Sequence, residues 1–197
     1  MILAIDPSLT GTAAVIGGTS GFFDIRRFSS DHRTDTVYHR IQRYRGLVKD
    51  VRLFVGGVPI DAVFVEGYSF ASDASRARYS AEYGGLLRAS LLELTSDVYE
   101  IQPLALKKFA GGIGKGDKQR VIEGLKRRYN VRFETDDEYD AYGLYRLGLC
   151  VLGHVAPQGL AQVEVVEQIR NPQPKPRKPR KPRKPGRRKK KENTLFS

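Results

Sequence analysis

Ile2-Leu-Ala-Ile-Asp6, Thr12-Ala-Ala-Val-Ile16 and Phe22-Phe-Asp-Ile-Arg-Arg-Phe28 follow one another within the first 28 residues. Each run is short and largely apolar, and the cluster Gly17-Gly-Thr-Ser-Gly21 between the last two is a turn signal. Together they predict three strands in an antiparallel meander. From Val37 the period changes: Val37, Ile41, Tyr44, Val48 and Val51 recur at helical spacing, with Arg40, Arg43 and Lys49 elsewhere on the wheel. Ala62–Val65 reads as a buried strand that ends on Glu66. A long helix is predicted over 74–94 and a further strand over Val98–Ile101. A helix capped by Asp117 carries Val121, Ile122, Leu125 and Tyr129 on one face. A last helix runs from Asp137 to Leu152 with Leu144, Leu147 and Val151 in one stripe. Three strands, a helix, then alternating strands and helices define an α/β fold, a mixed sheet flanked by helices.

The 197 residues hold 34 basic and 22 acidic side chains, a net charge of +12 that is unevenly placed. From Arg170 to Ser197 there are 13 basic residues and one acidic residue, so 1–169 is left with 21 of each sign. The chain therefore divides into a neutral folded body, 1–169, and a cationic tail, 170–197. Six of the ten prolines stand between Pro172 and Pro185, and Lys-Pro-Arg repeats from 175, 178 and 181. Missing donors and mutual repulsion predict an extended, disordered tail that binds phosphates with little sequence information.

A single cysteine, Cys150, excludes an intrachain disulfide and a Cys-rich zinc site. The opening residues have no basic region ahead of an apolar one, and no apolar run reaches the ~20 residues of a membrane span. Neither a signal peptide nor a membrane association is expected. Gly112-Ile-Gly-Lys-Gly116 is not a nucleotide phosphate loop, because no Gly-Lys-Ser/Thr follows at the required spacing.

Four carboxylates stand out by position. Asp6 and Glu66 end predicted strands, and Asp137 and Asp140, three apart at a helix start, share a helix face. Strand ends and helix starts are where open α/β sheets build their sites. Clustered carboxylates repel one another unless cations neutralise them, and hard oxygen ligands select Mg²⁺ or Mn²⁺. Two such ions can activate a water and stabilise the leaving oxygen of a phosphodiester. Separate surface carboxylates that complement a helix dipole are the other reading of the same residues.

Ile2-Leu-Ala-Ile-Asp-Pro-Ser-Leu-Thr-Gly-Thr12 resembles the first motif of the RuvC-type Holliday junction resolvases, which have the ribonuclease H fold. Val63-Phe-Val-Glu-Gly67 resembles their second motif and Asp137-Glu-Tyr-Asp-Ala141 their Asp-x-x-Asp-Ala motif. The segment from Leu106 to Val121 is similar to their lysine, glycine-rich turn, lysine segment. The motifs occur in family order across residues 1–153. The resemblance implies a metal-dependent endonuclease that resolves four-way DNA junctions as a homodimer, in the cytoplasm of a bacterium or a phage-infected host cell. It implies that Asp6, Glu66, Asp137 and Asp140 hold two Mg²⁺ or Mn²⁺ ions, with Asp6 bridging them. It further implies that Lys107 and Lys118 contact the phosphates of the scissile region. Lys118 is expected to stabilise the developing charge, and Lys108 and Lys115 of the same segment are expected to contact DNA.

The sequence departs from the family pattern in three places. Ser8 stands where a glycine is common, Asp136 and Glu138 make Asp136/Asp140 a rival to Asp137/Asp140, and bacterial members lack a tail like 170–197. Tyr68 and Phe70 follow Glu66, and either could stack on an unpaired base or wedge a junction. Ala77, Ala81, Gly85 and Ala89 form a small-residue stripe that faces either the sheet or a partner subunit. The alternative functions are a ribonuclease H-fold nuclease on other branched DNA or RNA, and a catalytically silent DNA-binding protein. The presence of all four carboxylates disfavours the last.

Overall fold

The computed structural model describes residues 1–30, 36–68, 74–112 and 118–172. Its strands are β1 (Ile2–Asp6), β2 (Gly11–Gly17), β3 (Phe23–Ser29), β4 (Ala62–Glu66) and β5 (Val98–Ile101). They form one sheet in the order β3-β2-β1-β4-β5. β1, β2 and β3 pair antiparallel, as the meander predicts, and β4 and β5 join parallel to β1. The helices are α1 (Val37–Val55), α2 (Ala74–Leu91), α3 (Pro103–Gly111), α4 (Lys118–Tyr129), α5 (Asp136–Val151) and α6 (Leu160–Arg170).

Side chains alternate across each strand, so the two faces of β1 and β4 serve different layers. Leu3, Ile5, Val63 and Val65 pack against Tyr44, Leu47 and Val51 of α1 and Tyr83, Leu87 and Leu91 of α2. Ile2, Ala4, Ala62 and Phe64 face the opposite way, onto α5, with α3 and α6 beside it. α5 is the most buried helix, carrying Leu144, Leu147 and Val151 inward as its stripe predicts. Asp6 and Glu66 have the parity of this second face, and so emerge from the sheet on the α5 side. No helix among the described residues is long and apolar enough to cross a membrane.

Two helices were not foreseen. α3 opens with Pro103 in its first turn, where a missing N–H costs nothing. α6 packs Val165 and Val166 into the core. Arg170, assigned to the tail by composition, is the last residue of α6. Its guanidinium donates to the Val151 and Cys150 carbonyls at 2.9 and 2.8 Å. Both carbonyls lie in the last turn of α5, where the Cys150 oxygen also takes the Gly153 N–H at 3.1 Å, so the arginine caps one helix from another and the folded body extends to Arg170. α2 ends at Leu91 rather than 94. Asp117, the expected cap of α4, lies outside the described residues.

The small-residue stripe of α2 does not face the sheet. Tyr83, Leu87 and Leu91 take that side, while Ala81, Gly85 and Ala89 are exposed and Ala77 is half-buried. A Cβ added at Gly85 would have no heavy atom within 4 Å.

Candidate active site

Asp6, Glu66, Asp137 and Asp140 line one cleft of about 480 Å³ together with Lys107, Lys118, Tyr68 and the turn Pro7–Thr10. Three separate segments thus deliver the four carboxylates that the sequence singled out. β1 and β4 run parallel in register, Ile5 opposite Val65, which sets Asp6 and Glu66 side by side at the two strand ends. Thr12 steadies the turn after Asp6, donating to the Ser8 carbonyl at 3.2 Å and meeting the Tyr83 hydroxyl at 2.6 Å.

α5 brings the other pair because its start is fixed. Thr135 is the cap, its hydroxyl accepting from the Glu138 N–H, while the Glu138 carboxylate takes the Thr135 N–H in return. This reciprocal capping consumes Glu138 and places Asp137 in the first turn, where the dipole favours an anion. Asp137 and Asp140 then share the face toward the cleft. Asp136 is turned out: it is half-exposed, lies 3.6 Å from the Lys118 ammonium and does not line the cleft.

α3 and α4 supply the cations. They cross so closely that a Cβ at Gly124 would lie 2.1 Å from the Ala110 carbonyl oxygen. Lys107 and Lys118 enter the cleft, whereas Lys108, one residue on and rotated about 100° around the helix, pairs with Glu164 of α6. Lys115 and Phe70 lie outside the described residues. Tyr68 is held against α2, with the Arg88 guanidinium 4.3 Å from its ring centre. Arg88 also donates to the Glu66 carbonyl at 3.0 Å and to Glu100 at 2.9 Å. This arginine, not anticipated from the sequence, ties the end of β4 to α2.

The electrostatics of the cleft are those of crowded, buried acids. Burial first, then the neighbouring Glu66 and Asp137, hold the Asp6 carboxyl well above the usual range, and Asp6 and Glu66 share a hydrogen bond. Burial likewise raises Glu66, helped by the charge of Asp140. Asp140 is pushed up to about 7, by burial and then by Asp6. Burial would lower the Lys118 ammonium, but Asp140, Asp136, Asp137 and Asp6 outweigh it, so its proton is held more tightly. A donor set of four carboxylates that resist ionising together suits a hard divalent cation, which removes the repulsion. No three His, Cys, Asp or Glu side chains among the described residues are already gathered as a ligand cluster. The carboxylates share the cleft, with Asp6 on Glu66 and Asp137 drawn to Arg27.

These shifts set a pH dependence. In the folded chain Asp140 and Asp6 keep protons that the unfolded chain releases near pH 4, so the acids destabilise the fold increasingly as pH rises toward 7. In chelator, the melting temperature is expected to fall between pH 5 and pH 8, and Asp140→Asn to flatten that fall. A wild-type melting temperature that rises across this interval contradicts the assignment.

A mixed five-stranded sheet flanked by helices, with carboxylates at the ends of two central strands and at the start of the packed helix, defines a ribonuclease H-like fold. Within that class the chain is RuvC-like, in sequence and in fold. It is 29% identical over 99 residues to the crossover junction endodeoxyribonuclease RuvC of Wolinella succinogenes, covering 50% of this chain and 59% of that protein. It is 30% identical over 88 residues to that of a Sulfurovum species, covering 45% and 55%. Against these relatives the chain spans little more than half of their length. The RuvC of Bartonella henselae is 27% identical over 148 residues, 73% of this chain and 85% of that protein. Among solved structures, Thermus thermophilus RuvC in complex with a Holliday junction superposes with a TM-score of 0.56 at 19% identity, over 73% of this chain and 88% of that one. No family model matches the chain.

Proposed function

We propose that this chain is a metal-dependent endonuclease that resolves four-way DNA junctions by paired strand cleavage. The observation that carries the reading is the meeting of Asp6, Glu66, Asp137 and Asp140 with Lys107 and Lys118 in one cleft of a RuvC-like fold. The printed names of the relatives, crossover junction endodeoxyribonuclease, supply the substrate class.

Asp6, Glu66, Asp137 and Asp140 would hold two Mg²⁺ or Mn²⁺ ions, which supply Lewis acidity toward a phosphodiester and a nucleophilic water at neutral pH. Asp6, the most buried of the four, anchors the set from the sheet. Lys118 keeps its proton and stands at the cleft edge, where it stabilises charge that develops on the phosphate. Lys107 lines the same cleft and would hold a neighbouring backbone phosphate. Arg88 fixes Tyr68 and the β4 end, giving the strand that carries Glu66 a rigid seat. The test is a substrate panel: a mobile four-way junction, a fork and a linear duplex, each with Mg²⁺ and with EDTA. Junction cleavage in Mg²⁺ alone is expected; cleavage of all three alike would replace this reading by an unselective nuclease.

Paired cleavage calls for a two-fold dimer, and the exposed Ala81, Gly85 and Ala89 stripe of α2 offers a surface for close helix contact. Ala81→Leu is expected to give monomers by sedimentation without lowering the melting temperature. An unchanged dimer mass would place the interface elsewhere.

Residues 173–197 lie outside the described structure, and their composition supports a role in non-specific DNA affinity. Deleting residues 172–197 should weaken binding to junction and duplex about equally and flatten log affinity against log salt. Turnover of saturated junction should stay nearly unchanged. Equal salt slopes with and without the tail would show that it does not touch DNA.

A further inference from the structure

The lateral row of the sheet that holds Asp6 continues outward to a cation. Asp6 pairs with Ala13 on β2, and Ala13 with Arg27 on β3, so the three side chains stand on one face in one line. The residues of like parity on β3, Phe23 and Ile25, pack into the core under α5. Arg27 breaks that apolar series where the row reaches the cleft. The Ala13 methyl is too short to fill the space between Asp6 and Arg27. The guanidinium lies over Gly11, where an added Cβ would come within 2.1 Å of it. From this slot Nε donates to Asp137 Oδ2 at 3.2 Å, in an ion pair whose carboxylate is only 22% exposed. The oxygen that Arg27 engages is Oδ2.

We propose that Arg27 is a positioning residue for Asp137, holding that carboxylate at the cleft and so setting the affinity of the site for its cation. The inference rests on the nuclease reading, in which Asp137 is a ligand. Outer hydrogen-bond partners of ligating carboxylates fix their orientation, and their loss commonly weakens metal binding about 10- to 100-fold. The placement also separates Asp137 from Asp136, which has Lys118 as its partner instead.

The sign of the effect makes the test sharp. Arg27 is a positive charge beside a cation site, so electrostatics alone predicts that removing it strengthens cation binding. Positioning predicts the reverse. The measurement is Mn²⁺ uptake by the full-length protein without DNA, followed by the loss of the free-ion electron paramagnetic resonance signal. Wild type, Arg27→Gln, Asp137→Asn and the double variant are compared. Junction affinity in EDTA and the melting temperature are recorded alongside. Arg27→Gln is expected to weaken Mn²⁺ binding at least tenfold, to leave EDTA junction affinity within twofold of wild type, and to add less than twofold once Asp137 is Asn. Unchanged or tighter Mn²⁺ binding in Arg27→Gln overturns the proposal, while a loss in Asp137→Asn still upholds the nuclease site. A loss that persists in full in the Asp137→Asn background, or that appears in EDTA junction affinity instead, also overturns it. A wild type that takes up no Mn²⁺ overturns the nuclease reading itself.

Discussion

Asp6→Asn is expected to reduce junction cleavage in Mg²⁺ more than a hundredfold while leaving junction binding at wild-type strength or tighter. The asparagine is nearly isosteric, and the position is 6% exposed at the end of a central strand, so the shape of the cleft survives. The anionic oxygen that sits against Glu66 and nearest the other acids does not. Metal sites of this chemistry supply several kcal/mol of transition-state stabilisation, and a hundredfold loss is about 2.7 kcal/mol. The cleft cations Lys107 and Lys118 are untouched, and Lys118 loses one of the carboxylates that compete for it. The same substitution removes a buried acid held far above its usual range, so the melting temperature in chelator should rise. Single-turnover cleavage and gel-shift affinity measure the two halves. Cleavage above about a hundredth of wild type contradicts the site assignment.

Asp137→Asn should impair cleavage at least tenfold more than Asp136→Asn. The adjacent carboxylates differ because the capping box of Thr135 and Glu138 fixes where the helix begins, and each step along a helix turns the side chain by about 100°. Asp137 falls on the cleft and is held by Arg27, whereas Asp136 falls outward against Lys118. Neutralising Asp136 removes one partner of a lysine that Asp140, Asp137 and Asp6 still surround, so a small effect is expected. Steady-state rates on a junction for the two variants settle the order, and the reverse order would shift the metal site by one residue.

The sheet and the four carboxylates were legible because their signals are local. Apolar runs ended by Asp6 and Glu66 mark strand ends, and Asp137-x-x-Asp140 marks a helix face. The choice between Asp136 and Asp137 was legible in principle, since Thr135-Asp-Asp-Glu138 is a capping box that sets the start of α5. α3 was passed over because its nine residues are short for a periodic signal, although Pro103 ahead of Leu104 and Leu106 is a helix-start pattern. α6 was hidden by the basic composition that begins at Arg170, which binds the end of α5 rather than solvent. Arg27 and Arg88 depend on strand register and on a helix crossing over the sheet, which no single-sequence pattern encodes. The one trace of Arg27 is the alternation Phe23, Ile25, Arg27, where an inward position carries a charge. Of the two aromatics after Glu66, Tyr68 is held by Arg88, a contact 20 residues away in sequence that spacing from Glu66 could not reveal.

Single-turnover cleavage of a four-way junction with both opposing strands end-labelled tests the reading most directly. The expected result is Mg²⁺-dependent scission of the two strands at symmetric positions, at equal rates. Scission that persists in EDTA, or that proceeds in Mg²⁺ as fast on linear duplex as on the junction, contradicts it.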